Sequence, residues 1–241
     1  MIPAKDVDFD KIDKNGIQVP GCLPYIRTFD KIDMGWKIKR WFPIDLPKLR
    51  QWYAQLEQDY ANCKFLYGEH AYMWSFDPSD PLGQTGHKFM PDTAWYTLCW
   101  NPTDLQGPLP PERSNARPEF KEHDNTDNLN PRYCFTGYGL EICKQIQESV
   151  RLKKVLISIM TPGTVLRPHQ DSPDKLRFHI SIYNNEDAYW TIEGEKIQVP
   201  DDGWVYLVNT SLVHELHNNG STPRINMYGK VFTEDVIKLG L

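Results

Sequence analysis

The chain has 241 residues and carries 27 Lys and Arg against 32 Asp and Glu, which gives a net charge of −5. This length is enough to bury a sizeable core, and a single domain is the simplest organisation. The acidic balance, without a basic patch, argues against a nucleic-acid-binding surface. No run is apolar enough to span a bilayer, and residues 1–16 lack the apolar stretch of a secretory signal, so we expect a cytoplasmic protein with no membrane partner.

The five cysteines are scattered along the chain and form no Cys-x-x-Cys pair. Neither a zinc site nor a disulfide framework is therefore indicated, and we expect reduced thiols. The cysteines are Cys22, Cys63, Cys99, Cys134 and Cys143.

Two amphipathic helices are predicted in the first 150 residues. Residues 47–60 place Pro47 in the first turn and apolar side chains at helical spacing. Residues 140–150 carry a second, shorter stripe. Such stripes are typical of core-packing surfaces, and we expect both helices to buttress one sheet. The stripes consist of Leu49, Trp52, Tyr53, Leu56 and Tyr60, and of Leu140, Cys143, Ile146 and Val150.

The segment from Asn101 to Arg132 is rich in Pro, Asn, Asp and charged residues. A long segment of this kind is a mobile lid, a partner-binding loop or disordered surface, and we favour a lid over an active-site mouth. Aromatic residues that precede it are expected to form core or pocket wall, because no basic surface accompanies them for nucleic-acid stacking. They are Tyr72, Trp74, Phe76, Trp95, Tyr96 and Trp100.

The last third of the chain is a series of short β-type runs separated by turn signals. Such a series predicts a sandwich or barrel, and a jelly roll, or double-stranded β-helix, would bring an early His-x-Asp beside a late His. We predict one mainly β domain with buttressing helices, in which residues 151–235 form a cupin-like core and residues 1–150 an elaboration of helices, loops and extra strands. The runs are Val155 to Met160, Arg177 to Tyr183, Tyr189 to Ile192, Lys196 to Val199, Trp204 to Val208 and Arg224 to Phe232.

Three residues of this region have the chemistry of metal ligands. His169 and Asp171 are two positions apart, so on an extended strand they point to the same face. His214 from a distant strand would complete a set of two imidazoles and one carboxylate, which is the ligand set of non-haem Fe(II) oxygenases. Arg224, ten positions after His214, can then hold the far carboxylate of a dicarboxylate cosubstrate such as 2-oxoglutarate.

Several motifs in this region agree in order and spacing with one known family. They are the run from Ser158 through Thr161-Pro162-Gly163 to His169, then Arg177-Phe178-His179, His214-Glu215-Leu216 and Arg224. They resemble the aspartyl/asparaginyl β-hydroxylase family of Fe(II)- and 2-oxoglutarate-dependent oxygenases. The first two-thirds of the chain contributes no motif to this resemblance.

The resemblance implies a role for each of these residues. His169 and His214 would bind iron, while Ser158 and Arg224 would bind the distal carboxylate of 2-oxoglutarate. Arg177 and His179 would lie near its metal-chelating end. Asp171 departs from the hydroxylase that gives the family its name, which resembles this segment but has glycine there. Free-proline hydroxylases that also resemble the family have the full triad, so the departure favours iron binding and weakens the transfer of a protein Asp/Asn substrate.

Each residue also has a purely structural interpretation. Asp171 can cap the following turn, and His179 can be a hydrogen-bonded core histidine. Arg177 can be a solvated strand residue, and Arg224 can pair with a surface acid. His217 is the rival of His214, but the two lie on opposite faces of a regular strand, and His214 has the family spacing to Arg224.

The resemblance implies a dioxygenase that uses Fe(II), 2-oxoglutarate and O2 to hydroxylate an unactivated C–H bond, with succinate and CO2 as coproducts. We expect a small-molecule or peptide substrate, namely an amino acid or a peptide Asp/Asn side chain. One alternative is a related oxygenase that desaturates or demethylates. Another is a non-redox metal-binding jelly roll that acts as a small-molecule binding module or an isomerase. Ser158 and Arg224 argue against the latter, because a pure binding module needs no dicarboxylate anchor.

Overall fold

The computed structural model describes residues 1–18, 27–67, 93–97, 99–100, 130–131 and 137–241. Within these ranges the helices are α1 (Leu46–Tyr67), α2 (Gly137–Gln147) and α3 (Thr233–Lys238), with a short 3-10 turn at Ala4–Asp6. The strands in the first part of the chain are β1 (Ile2–Pro3), β2 (Ile17–Gln18), β3 (Arg27–Thr28), β4 (Ile32–Asp33), β5 (Ile38–Pro43), β6 (Thr93–Thr97), β7 (Cys99–Trp100) and β8 (Asn130–Pro131). Those that follow α2 are β9 (Leu152–Met160), β10 (Val165–His169), β11 (Lys175–Tyr183), β12 (Ala188–Ile192), β13 (Glu195–Ile197), β14 (Trp204–Val208), β15 (His214–Asn218) and β16 (Arg224–Phe232).

Two larger sheets form the body of the described protein. The six-stranded sheet has the order β5-β14-β11-β16-β9-β6, and the four-stranded sheet has the order β10-β15-β12-β13. All neighbouring strands in both sheets are antiparallel. From β9 to β16 the chain passes repeatedly from one sheet to the other, which is the winding of a double-stranded β-helix. The predicted jelly roll is confirmed.

Strand alternation divides the apolar residues between two cores. In β11, Phe178 and Ile180 point away from the second sheet and pack against α1 and α2, where Leu49 and Ile146 are fully buried. Each such side chain stabilises the fold by roughly 1.5–3 kcal/mol. This larger core confirms that the helices buttress one sheet.

A smaller apolar cluster lies between the two sheets. It consists of Met160, Trp190, Ile192, Val199, Tyr206, Val208, Leu212 and Leu216. The same space receives buried polar and charged side chains, among them His179, His214 and Arg224. A polar set enclosed between sheets is where a ligand site in a jelly roll is expected.

The predicted helices and turns lie where the structure has them, but the bounds of the helices differ. The first helix is longer than predicted, and the second is shifted towards the N-terminus by three residues. The predicted turn at Glu193-Gly194 joins β12 to β13, and both residues have positive φ values (49° and 77°), as in a type I′ hairpin. Strands β5 and β6, from the first part of the chain, form the two edges of the six-stranded sheet.

Some predictions fall outside the described residues. These include Tyr72, Trp74 and Phe76 of the aromatic cluster and residues 101–129 of the proposed lid. Cys143 is buried and forms no disulfide, and burial raises the pKa of its thiol well above the ordinary value. Among the described residues, no helix combines the length and hydropathy that a bilayer crossing requires.

Candidate metal and dicarboxylate site

His169 and His214 meet at the edge of the space between the sheets. His169 ends β10 and His214 begins β15, and the antiparallel ladder pairs them directly after an irregularity that follows Leu166. Their ring centroids lie 4.2 Å apart. Two imidazoles from strands 45 positions apart in sequence are therefore brought into contact by the register of the four-stranded sheet.

The environment of His214 fixes its tautomer. Its Nδ1 lies 2.9 Å from the backbone oxygen of Leu212, and because a carbonyl oxygen accepts hydrogen bonds, Nδ1 carries the proton. Burial, followed by the nearby His169, lowers the pKa of His214 to about 3, so the ring is neutral at cellular pH. Nε2 then holds a lone pair, and an imidazole oriented by a carbonyl in this way is the usual form of a metal ligand.

The rival His217 points to the other face of β15. It stacks on Tyr189 with ring centroids 4.8 Å apart and lies 3.4 Å from a carboxylate oxygen of Glu215. Burial alternates along β15, with His214 buried and His217 partly exposed. The alternation expected from the sequence therefore separates the two histidines.

Asp171 is paired with Arg177. The Nε of Arg177 donates to Oδ2 of Asp171 over 2.8 Å, while the backbone N–H of Asp171 donates to the oxygen of Thr210 over 2.9 Å. Burial opposes ionisation of Asp171, but the charge and hydrogen bond of Arg177, with smaller effects of His214 and His169, hold the pKa of the carboxyl well below its usual range. The group is an anion at neutral pH.

The three predicted ligands, His169, Asp171 and His214, lie near one another but are not arranged as in a metal-bound site. Within the described ranges, no three His, Cys, Asp or Glu side chains stand in an arrangement that would hold a metal ion. The salt bridge to Arg177 accounts for the position of Asp171. The chemistry of the set nevertheless fits a divalent ion, since it offers an anionic carboxylate and an imidazole held in its neutral form.

Arg224 is a buried cation with no carboxylate partner among the described residues. Arg224 is the first residue of β16, its side chain is 2% exposed, and its Nη1 donates to the sulfur of Met160 over 3.6 Å. Nη2 has no partner in the described part of the chain. Burial lowers the pKa of Arg224 to about 10. A buried charge without a counterion is costly, so this position favours an anionic ligand over the surface pairing considered above.

Ser158 and His179 lie on the same inward face as Arg224. The ladder between β9 and β16 pairs Arg224 with Met160 and Asn226 with Ser158, so Ser158 is a diagonal neighbour of Arg224. His179 is buried and stacks on Tyr228 with ring centroids 5.2 Å apart. Burial, followed by Arg224 and Arg177, lowers the pKa of His179 well below its usual value, so this ring is also neutral.

Two residues of the site were not found from the sequence. Trp190 lies on β12 between His179, His214 and Arg224, and Asn226 follows Arg224 on β16. Trp190 Nε1 and Asn226 Nδ2 are buried without partners among the described residues. The alternation of Ala188–Ile192 would have placed Trp190 inward, because it shares a face with Ala188 and Ile192, but it gives no sign of what the ring meets.

A comparison of the sequence with protein-family models bears on this site. Residues 121–233 match the aspartyl/asparaginyl β-hydroxylase family. The resemblance stated from the motifs is thereby confirmed, and the matched segment contains every candidate ligand from Ser158 to Arg224. It supports an oxidoreductase of the hydroxylase type. No curated protein matches the chain.

Several solved structures are similar at low identity. HygX from Streptomyces hygroscopicus, with nickel and 2-oxoglutarate bound, is 12% identical over 81% of this chain and 82% of that chain, with a TM-score of 0.43. An oxidoreductase of the 2OG-Fe(II) oxygenase family from Burkholderia pseudomallei is 13% identical over 59% of this chain and 69% of its own, with a TM-score of 0.36. A Cupin_2 domain of an XRE family transcriptional regulator from Enterobacter cloacae is 16% identical over 35% of this chain and 84% of that chain, with a TM-score of 0.28.

Proposed function

We propose that the protein is an Fe(II)- and 2-oxoglutarate-dependent dioxygenase that hydroxylates an unactivated C–H bond of an amino acid or of a peptide Asp/Asn side chain. The observation that carries the proposal is the buried guanidinium of Arg224, which lacks an anionic partner in the described residues and lies in the same space as a neutral histidine. A dicarboxylate that also reaches a metal at His169 and His214 would satisfy both features.

His169, Asp171 and His214 would hold the metal. The backbone oxygen of Leu212 orients His214, and Arg177 binds Oδ2 of Asp171, so Oδ1 would be the atom that binds the metal. When bound, the metal would supply the oxidation chemistry in which 2-oxoglutarate, O2 and the C–H bond of a substrate give succinate, CO2 and the hydroxylated substrate. Arg177 would then remain as the charged outer partner of the ligand set.

Arg224 and Ser158 would bind the distal carboxylate of the cosubstrate. A buried guanidinium makes charge-assisted and potentially bidentate hydrogen bonds to such a group. His179, neutral and enclosed by Tyr228 and Trp190, would face the chelating end. The apolar cluster that includes Met160 and Leu216 lines the same space and would keep bulk water from it.

The test is the formation of succinate from 2-oxoglutarate with Fe(II), ascorbate and O2, first without substrate and then with a panel of amino acids and Asp/Asn peptides. We expect slow uncoupled turnover, which a true substrate should accelerate. A non-redox metal-binding jelly roll would bind the metal and produce no succinate.

A matched pair of variants links this activity to the proposed ligands. His214→Ala should lose both metal and turnover, because its neutral ring lies against His169. His217→Ala removes the same side chain from the opposite face and should keep both. Metal binding and turnover in His214→Ala at the level of His217→Ala and the wild type would exclude His214 as a ligand.

A further inference from the structure

Trp190 contacts three residues of the proposed site, namely His179, His214 and Arg224. It lies in the middle of β12 and is 3% exposed. Its ring meets His179 edge to face, with centroids 4.8 Å apart, and is 5.6 Å from the ring of His214. The guanidinium carbon of Arg224 lies 5.9 Å from the ring centroid, within the range of a cation–π contact.

The indole N–H of Trp190 is an unused donor in a closed space. Nε1 is buried and finds no partner among the described residues, although buried tryptophans usually place this group in a hydrogen bond. Nη2 of Arg224 and Nδ2 of Asn226 are in the same condition. Trp190 Nε1 and Arg224 Nη2 belong to side chains that are in contact, and both atoms donate and cannot accept, so a ligand that satisfies them must supply acceptors. A carboxylate has this chemistry.

We propose that Trp190 is a further cosubstrate-binding residue, whose indole N–H donates to the carboxylate held by Arg224 while its ring covers the guanidinium. The inference rests on the proposed function, since it assigns Trp190 to the distal end of the same dicarboxylate. The ring also fixes the side of Arg224 from which the carboxylate can approach, because an aromatic face excludes an anion from that side.

The ring and the donor can be separated by substitution. Trp190→Phe keeps an aromatic face over Arg224 and the edge contact to His179, and removes the N–H group. Trp204 provides a matched control, because its ring contacts a different arginine, with the guanidinium carbon of Arg40 5.3 Å from the ring centroid. Trp204→Phe therefore makes the same chemical change to an aromatic ring near a different arginine.

The experiment measures the dissociation constant of 2-oxoglutarate by calorimetry in the presence of Zn(II), a redox-inert metal that accepts the same ligands. Trp190→Phe should weaken 2-oxoglutarate binding roughly ten-fold, as expected for the loss of one hydrogen bond to a charged group. Trp204→Phe should change it less than two-fold. Oxalate, which chelates the metal and carries no distal carboxylate, should bind both variants as it binds the wild type.

The outcomes separate the two proposals. If the wild type with Zn(II) does not bind 2-oxoglutarate, the proposed function fails. If it binds and Trp190→Phe binds equally well, the role of Trp190 is overturned. Equal weakening of oxalate and 2-oxoglutarate in Trp190→Phe would also overturn it, because the effect would then be a general distortion of the site.

A second measurement on the wild type covers the case in which Trp190→Phe fails to fold. The protein has eight tryptophans, whose indole N–H groups give separate signals in a nitrogen-labelled NMR spectrum. With Zn(II) present, 2-oxoglutarate should move one of these signals downfield in the wild type and not in Arg224→Ala. No downfield shift on saturation with 2-oxoglutarate would overturn the proposal.

Discussion

Replacement of Arg224 by methionine should make the protein more stable and unable to bind 2-oxoglutarate, the proposed cosubstrate. Burial lowers the pKa of this guanidinium from its ordinary value to about 10, which corresponds to roughly 3 kcal/mol of unfavourable free energy for the charged form in the fold. Because the folded pKa lies below the unfolded pKa, the penalty is complete at neutral pH and is lost only as the pH rises from about 10 towards the unfolded pKa. Methionine fills a similar volume without the charge.

The assay is thermal unfolding with and without 2-oxoglutarate in the presence of Zn(II). Without cosubstrate, Arg224→Met should unfold several degrees higher than the wild type, since roughly 1 kcal/mol shifts the Tm of a domain of this size by about 2–4 °C. Cosubstrate at about 100 times its Kd should stabilise the wild type by about 2.7 kcal/mol and leave the variant unchanged.

Arg50→Met is the matched control. Arg50 is a paired arginine, with Nη2 2.5 Å from Asp201 Oδ2 and Nε donating to the oxygen of Ile182 over 2.9 Å. Its replacement should lower the Tm and preserve the cosubstrate response. If Arg224→Met were less stable than the wild type and still responded to 2-oxoglutarate, the account of Arg224 as an unpaired anion-binding cation would be wrong.

Two further predictions concern the metal ligands. Asp171→Ala should lose Fe(II) binding and turnover while remaining folded, as shown by metal content and circular dichroism; if Asp171 only forms the salt bridge with Arg177, the variant should lose stability and keep its metal and its activity. The folded pKa of His214, about 3, lies below its ordinary value of 6.5, so without metal the free energy of unfolding should fall by a few kcal/mol as the pH drops from 6.5 towards 3. His214→Gln should flatten this dependence in chelator-treated protein, and an unchanged slope would contradict the assignment.

The features of the site that depend on the alternation of side chains along a strand were predictable from the sequence. Alternation along a strand separated His214 from His217, because successive side chains of a strand face opposite sides. Arg224 is indicated by its spacing of ten positions from His214, and the structure buries its side chain. The series of short runs and turns predicts only a sandwich or barrel, and the jelly roll is favoured because it brings an early His-x-Asp beside a late His.

Contacts between distant strands were not predictable in the same way. The pairing of Arg177 with Asp171 depends on how the residues after β10 approach β11, and the sequence allowed Arg177 to be a solvated strand residue. Trp190 and Asn226 could be assigned to a face, but only the packing of one sheet on the other brings the ring of Trp190 to the guanidinium of Arg224 and buries the donors of Trp190 and Asn226 without partners among the described residues. The same holds for β5, which joins the sheet beside β14 across more than 150 positions of sequence.

The position of β10 in its sheet bears on how metal would enter and leave. β10 is the first strand in the order β10-β15-β12-β13, and in the described residues it is hydrogen-bonded to a neighbour on one side only, with a register irregularity just before His169. Edge segments of this kind open at a small part of the free energy of global unfolding. Fraying of β10 would detach His169 while β15 keeps His214 in place and the six-stranded sheet remains intact. Metal exchange would then be set by a local opening rate, and bound metal would slow the hydrogen exchange of the β10 amides.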